Sequence, residues 1–509
     1  MALPTVQYNR MLSSLLPDLD LSESLANLSI TGLSLDSRLV KPGHLFFAVP
    51  GFLQDGRDYI HSSLQSGAEI VLYQPDKKLL PDNERIVPIA NLNQKISEIS
   101  GRFYSHPSKK IALTGITGTN GKTTCTQLLA NLLSFVNGPV GVIGTLGYGY
   151  ITAKKTDLKT KGMTTPNPID IQSILADFVA SDISQAVMEV SSHSISQFRI
   201  NSLLFETAVF TNLSHDHLDY HGNLKNYSEV KKELFSMHGL KNAVINIDDT
   251  VGSKIAKDLP LSINKISYSL VNPEASIFAK EINISITGLT ARIISPWGQG
   301  ELKSRLIGKF NLQNLLAVVG VACSQGLNFD NVIKVLPMLE NIPGRMEIIN
   351  DTEQRTDKLI AGPLVIVDFA HSPDALKNAL GTLRNLCSGK LWCIFGCGGN
   401  RDQEKRPIMG KIAAELADHI IITNDNPRKE SPKKISEQIL SGIISNTQSI
   451  IILDRREAIN FSIKSAMQED VILIAGKGHE SYQLLGSKSF PFSDRVEAKI
   501  ALNNREEIL

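Results

Sequence analysis

The sequence predicts an α/β protein made of three α/β domains in series, and three observations carry that expectation. At 509 residues the chain is too long for a single core. Residues 111–117 read as a buried strand that enters a glycine turn and then a helix over 122–135, with Leu128, Leu129, Leu132 and Leu133 on its apolar side. From residue 364 onward, strands at 364–368, 391–395, 419–423 and 471–475 alternate with helices at 374–386, 406–416 and 435–444. Such alternation implies parallel sheets covered by helices. The polar stretch 105–110 reads as a linker, which gives expected domains at 1–108, 109–345 and 346–509, with ligands in clefts between them. Short strands are expected at 44–49 and 69–73 in the first of these.

Bulk properties narrow the function. A net charge of +1 lacks the basic footprint of a nucleic-acid binder. The first residues have no charged segment followed by an apolar one, and no apolar run reaches about 18 residues. A cytoplasmic, monomeric chain with no membrane span is therefore expected. The five cysteines, Cys125, Cys323, Cys387, Cys393 and Cys397, are too sparse and odd in number for a disulfide framework, and read as reduced thiols.

The strongest local signal is Thr117, Gly118, Thr119, Asn120, Gly121, Lys122, Thr123 and Thr124. The glycines let backbone N–H groups turn inward toward phosphate oxygens, and the following helix adds the partial positive charge of its N-terminus. Lys122 would reach the outer phosphates of a nucleotide and Thr123 would sit on Mg²⁺. The usual phosphate-loop pattern wants glycine where Ile116 stands; Gly115 lies one residue earlier. A dinucleotide fingerprint at 396–401 fails because Arg401 occupies the place of its third glycine.

Residues 214–221 hold His215, Asp216, His217, Asp219 and His221. On its own this suggests a binuclear metallohydrolase, although Tyr220 breaks that spacing, and turn and cap roles remain open for His215, Asp216 and Asp219. Beside a phosphate loop, Mg²⁺ with carboxylate, water and an occasional imidazole fits better, and Glu189 at the end of strand 185–190 is a candidate ligand.

Together these motifs resemble the Mur ligase family, and within it the enzymes that add the third residue of the peptidoglycan stem. Leu35, Asp36, Ser37 and Arg38, with Pro42, Gly43, residues 45–48, Asp55 and Gly56, are similar to its uridine-nucleotide domain. Residues 189–193 with Gln197 and Arg199, residues 368–373, 396–407 and 475–480 resemble the third-position enzymes. The resemblance implies an N-terminal UDP-sugar domain, a central ATP-binding P-loop domain and a C-terminal Rossmann-like amino-acid domain. It implies that ATP phosphorylates a carboxylate, which an amine then attacks.

The same resemblance assigns Lys122, Glu189, His217 and Lys231 to catalysis. It assigns Gly118, Thr119, Asn120, Gly121, Thr123, Thr124, Asn311, Arg345 and Asp368 to ATP. Mg²⁺ would meet Thr123, Glu189, His217 and Lys231, the last as a carbamate; the residues alone also allow Lys231 and Lys232 to be a solvated pair. Leu35, Ser37, Thr164, Thr165, Ser191, Gln197 and Arg199 would bind UDP-N-acetylmuramoyl-L-alanyl-D-glutamate, with residues 52–54 less polar than the family norm. Arg401, Asp425, Asn426, Pro427, Arg428, Gly476 and Glu480 would bind meso-2,6-diaminopimelate. Arg428 suits a second carboxylate. Addition of L-lysine and a simple P-loop phosphotransferase are the alternatives.

Overall fold

The computed structural model describes residues 7–51, 54–75, 83–160, 162–349, 362–444 and 448–506. Residues 52 and 53, part of the stretch less polar than the family norm, lie outside them.

Among the described residues, the first sheet is parallel, in the order Gly32–Ser34, His44–Ala48, Ala68–Tyr73, Ile86–Pro88. Helix Leu92–Phe103 follows and buries Leu92, Ile96, Ile99 and Phe103. The stretch 105–110 is no loose linker. Ser105 and His106 take positive φ, the His106 N–H donates to the Gly101 carbonyl, and Pro107 and Ser108 are buried. Ser105 and Ser108 accept hydrogen bonds within the fold, from Arg10 and the Leu204 N–H, which composition does not reveal.

The second sheet has eleven strands among the described residues. Its parallel centre runs Val140–Gly144, Gln185–Glu189, Ala112–Thr117, Thr207–Phe210, Asn242–Asn246, Asn264–Ser269. The antiparallel strands Gly147–Thr152 and Lys155–Lys159 extend one side; at the other, Ile277–Ser285 joins Asn264–Ser269 in parallel and opens the antiparallel meander completed by Gly288–Ser295 and Gly298–Ser304. Helices Lys122–Asn137 and Lys309–Ser324 cover one face, with Leu128, Leu132, Leu315 and Val319 wholly buried. Helix Pro168–Ala180 covers the other, through Ile171, Leu175 and Phe178.

The third sheet reads Glu347–Ile348, Leu364–Asp368, Val471–Ala475, Leu391–Phe395, His419–Ile422, Gln448–Ile451, parallel except for its first strand. Alternation along the strands separates its two cores. Leu391, Cys393 and Phe395 face helices Pro373–Leu386, Lys405–Leu416 and Pro432–Leu440, while Trp392 and Ile394 face Arg455–Ser465 and Asp494–Glu506. The helix expected at 435–444 starts earlier, because Pro432 occupies the first helical turn, where its missing N–H is harmless. All five cysteines are free. No helix among the described residues is long and apolar enough to cross a membrane.

Candidate active site

Strand register builds the site. Strand Ala112–Thr117 lies between Gln185–Glu189 and Thr207–Phe210, with Ile116 opposite Glu189 and Thr117 opposite Phe210. The glycine loop leaving this strand therefore emerges beside the Glu189 carboxylate, at the C-terminal edge where open α/β sheets bind ligands. At Gly118, φ is +149° and an added Cβ would fall 1.9 Å from Thr211 Oγ1, so no side chain fits. Helix Lys122–Asn137 starts directly after the loop.

Glu189 is fully buried. Its Oε2 accepts from Thr123 Oγ1 and Thr145 Oγ1, both at 3.0 Å, and its Oε1 accepts from the Thr145 N–H at 2.8 Å. Gly144 leaves room for this: a Cβ there would sit 2.4 Å from Oε1. Lys122 Nζ donates to the carbonyls of Gly118 and Thr119. Burial lowers its pKa, opposed by the charges of Glu189 and Asp216.

Lys231 lies behind the loop, within range of the Lys122 and Asp216 charges. Its Nζ is buried, donates to the Gly118 carbonyl at 2.9 Å and stands 4.6 Å from the centre of the Tyr227 ring. Burial, and next the charge of Lys122, push its pKa well below the ordinary lysine value. The solvated Lys231/Lys232 pair is thus split: Lys232 alone bonds Glu229 at the surface.

The histidine-rich run is also divided. Asp216 and His217 face the cavity. His221 turns inward, its Nε2 within 2.9 Å of Ser192 Oγ and its ring stacked on Tyr227. Among the described residues no three His, Cys, Asp or Glu side chains could jointly hold a metal, which removes the binuclear reading. Burial keeps His217 below its ordinary pKa and hence neutral.

A cavity of about 800 Å³ connects these groups to the third sheet. Its wall includes Thr119, Asn120, Gly121, Lys122, Thr123 and Thr124, then Glu189, Asn311, Arg345 and Asp368, and at the far end Arg401, Arg428 and Glu480. Arg345 Nη2 donates to Thr123 Oγ1 at 3.1 Å, and its guanidinium covers the Phe369 ring. Asp368 accepts from the Met346 N–H, and burial raises its pKa. Asn120 Nδ2 donates to Asp374 Oδ2 at 3.0 Å, tying the glycine loop to helix Pro373–Leu386. Asn311 reaches the wall, but its amide is engaged with the Ile307 carbonyl and Asn314. Thr145 and Asp374 were not expected from the sequence, since no motif includes them; His479 lies within the motif 475–480 but was given no role.

Of the residues assigned to the nucleotide-peptide, Thr164 lines this cavity and Thr165 is tied to it, donating through Oγ1 to the Glu189 carbonyl. Arg199 donates to the Thr165 carbonyl and to Gln197 Oε1, and Ser191 caps helix Ser192–Ser196. Leu35 and Ser37 belong to the first-sheet region, outside the cavity wall.

At the far end, the loops after strands His419–Ile422, Leu391–Phe395 and Val471–Ala475 meet. Asn426 Nδ2 donates to Glu480 Oε2, and Lys477 Nζ donates to both Glu480 Oε2 and Asn426 Oδ1. Arg428 turns in from the surface, with a φ of 53° and Nη1 donating to the Gly399 carbonyl at 2.9 Å. The Pro427 carbonyl lies where a Cβ on Gly399 would fall, and Gly476 has a φ of +114° with Asp425 Oδ2 2.7 Å from its own would-be Cβ. The glycine turn at 396–399 therefore presents arginines instead of a dinucleotide's phosphates. Arg406, fully buried, fixes it by donating to the Gly398 carbonyl and to Glu430.

Residues 29–104 match the profile described as "Mur ligase family, catalytic domain", 116–322 the "Mur ligase middle domain", and 344–478 the "Mur ligase, glutamate ligase domain". The chain belongs to the Mur ligase family. This Mur ligase is 42% identical over 483 residues to the UDP-N-acetylmuramoyl-L-alanyl-D-glutamate--2,6-diaminopimelate ligase of Coxiella burnetii, across 94% of this chain and 96% of the relative. A solved structure of a ligase with the same description superposes with a TM-score of 0.69 at 33% identity, covering 98% of this chain and 99% of that one. The MurF ligase of Thermotoga maritima, solved in complex with ADP, shares the fold: TM-score 0.63, 18% identity, 94% of this chain and 98% of that one.

The buried histidines of this Mur ligase set an acid limit. Burial lowers His221 and His479 to about 4 from 6.5. Between those values the unfolded chain binds protons that the folded one refuses, so stability falls as pH drops from about 6.5 to about 4 and levels below. The urea midpoint is expected to fall between pH 7 and pH 5, and to fall less in His479→Gln; an unchanged midpoint in the parent contradicts this.

Proposed function

We propose that this Mur ligase joins meso-diaminopimelate to the D-glutamate carboxylate of UDP-N-acetylmuramoyl-L-alanyl-D-glutamate, through an acyl phosphate formed with ATP. The observation that carries this reading is the single cavity running from the glycine loop to Arg401, Arg428 and Glu480. One end suits a triphosphate, the other a zwitterion with an additional carboxylate. Domains at 1–108, 109–345 and 346–509 would contribute the uridine, ATP and amino-acid sites.

In the first step an oxygen of the D-glutamate carboxylate attacks the γ-phosphorus and ADP leaves. In the second, the amine attacks the acyl carbon and phosphate departs with that oxygen. The chain's task is to hold three reactants in line and offset developing charge. Loop amides of residues 118–124 with Lys122 would cradle the phosphates, and Arg345, joined to Thr123, would supply positive charge from the third-sheet side. Thr164, Thr165, Ser191, Gln197 and Arg199, with Leu35 and Ser37 farther out, would hold the nucleotide-peptide.

The donor set fits Mg²⁺. Thr123 and Glu189 offer hard oxygens 3.0 Å apart, suited to an ion that also keeps phosphate and water ligands. Thr123, Glu189, His217 and a carbamate on Lys231 would hold it. When bound, the ion neutralises phosphate charge. The carbamate is supported by the burial of the Lys231 amine against the Gly118 carbonyl, which, with the charge of Lys122, lowers its hold on a proton and so favours addition of CO2. Lys231→Ala is expected to lose about 100-fold or more in turnover, with part of it regained in formate, which restores an oxygen ligand. Activity above a tenth of the parent's contradicts the carbamate.

Diaminopimelate is favoured over lysine by Arg428, placed with Arg401 near Glu480. Purified protein with ATP, Mg²⁺, the nucleotide dipeptide and either amino acid is expected to give the tripeptide mass with diaminopimelate alone. Loss of one charged hydrogen bond is worth about 1.5–3 kcal/mol, so Arg428→Ala should lower kcat/KM for diaminopimelate by about 10- to 100-fold while ATP affinity holds. Equal use of the two amino acids by the parent enzyme would sink the assignment.

A further inference from the structure

Arg455, the first residue of helix Arg455–Ser465, and Asp494, which opens helix Asp494–Glu506, form an ion pair with both side chains fully buried. Arg455 Nε donates to Asp494 Oδ1 at 2.7 Å, and Nη2 to Oδ2 at 2.8 Å. The guanidinium has more to give. Nη2 also donates to the Ala475 carbonyl at 2.9 Å, and Nη1 to the Asn424 carbonyl at 3.2 Å.

Those two carbonyls immediately precede Asp425 and Gly476, where the two loops at the amino-acid end of the cavity begin. Their strands, His419–Ile422 and Val471–Ala475, are not neighbours: Leu391–Phe395 lies between them in the sheet. Within the sheet no ladder hydrogen bond therefore joins their ends; main-chain bonds between the two segments come only farther out, where the Arg428 N–H donates to the Leu484 carbonyl and the Gly486 N–H to the Arg428 carbonyl. Above the sheet Asn426, Lys477 and Glu480 bond one another, Gln483 Nε2 donates to the Asp425 carbonyl, and the Leu484 N–H donates to Asn426 Oδ1. Below it, Arg455 is the group that reaches both. A buried ion pair is weak evidence for stability alone, because apolar replacements of similar volume often serve as well. A planar fork with five donors is the side chain suited to hold one carboxylate and two separate carbonyls together.

We infer that Arg455, oriented by Asp494, is a positioning residue that sets the spacing of the Asp425–Arg428 and Gly476–Glu480 loops and so the selectivity of the amino-acid pocket. It touches no substrate, and the inference rests on the reading of that pocket as the diaminopimelate site.

Steady-state assays on the whole enzyme test it, using Arg455→Lys and the double variant Arg455→Met with Asp494→Leu. Lysine keeps a charge for Asp494 but cannot serve both carbonyls; the double variant removes both buried charges. Each is expected to fold with a thermal midpoint close to the parent's. In each, KM for diaminopimelate should rise about tenfold and its preference over lysine should shrink, with KM for ATP and the nucleotide dipeptide within about twofold. Unchanged diaminopimelate KM and selectivity in folded variants, a parallel rise in all three KM values, or loss of the folded Arg455→Lys protein would overturn the inference. Absence of diaminopimelate-dependent turnover in the parent would instead overturn the pocket reading beneath it.

Discussion

The site depends on one buried carboxylate. Glu189 is cut off from water at the end of a strand, a costly position for an anion unless its oxygens are well paired. Thr123 from the glycine loop and Thr145 from the neighbouring strand connection supply that pairing, with Gly144 leaving space for it. The carboxylate thus ties three separate chain segments together beside the loop. Register makes this possible: a slip of one residue between Gln185–Glu189 and Ala112–Thr117 would turn Glu189 to the other face of the sheet.

From this anchor, contacts lead to the third sheet. Thr123 accepts from Arg345, which stacks on Phe369, and Asn120 reaches Asp374. The glycine loop is thereby coupled to the residues that begin the C-terminal unit, and one cavity spans what would otherwise be two sites. Within that unit charged residues pair, Arg406 with Glu430 and Arg455 with Asp494 across separate segments and Lys477 with Glu480 within one loop. Each such pair is buried on at least one side, and each lies at the C-terminal edge of parallel strands.

Much of this was legible in the sequence, for physical reasons. The parallel centre of the second sheet and most of the third announced themselves by apolar, β-branched runs followed by amphipathic helices. Lys122 and Thr123 were expected from the glycine-loop composition and Glu189 from its place at a strand end, and all three line one cavity. The antiparallel meander 277–304 was missed: its strands are half exposed and carry mixed polar residues, as in Ile277–Ser285 and Gly298–Ser304. Thr145, Asp374 and Arg455 were missed because each acts through a partner far along the chain, 39 residues away for Arg455 and 254 for Asp374. The position of Lys231 behind the loop also depends on tertiary packing, for its sequence neighbours Lys232 and Glu229 read as a surface.

On the proposed reading, this cavity activates a carboxylate by phosphorylating it and then hands it to an amine. Isotope transfer tests that most directly. With both oxygens of the D-glutamate carboxylate labelled with ¹⁸O, mass analysis of the released phosphate should find one ¹⁸O atom for every amide bond formed. Phosphate released without label while the amide accumulates would contradict the account.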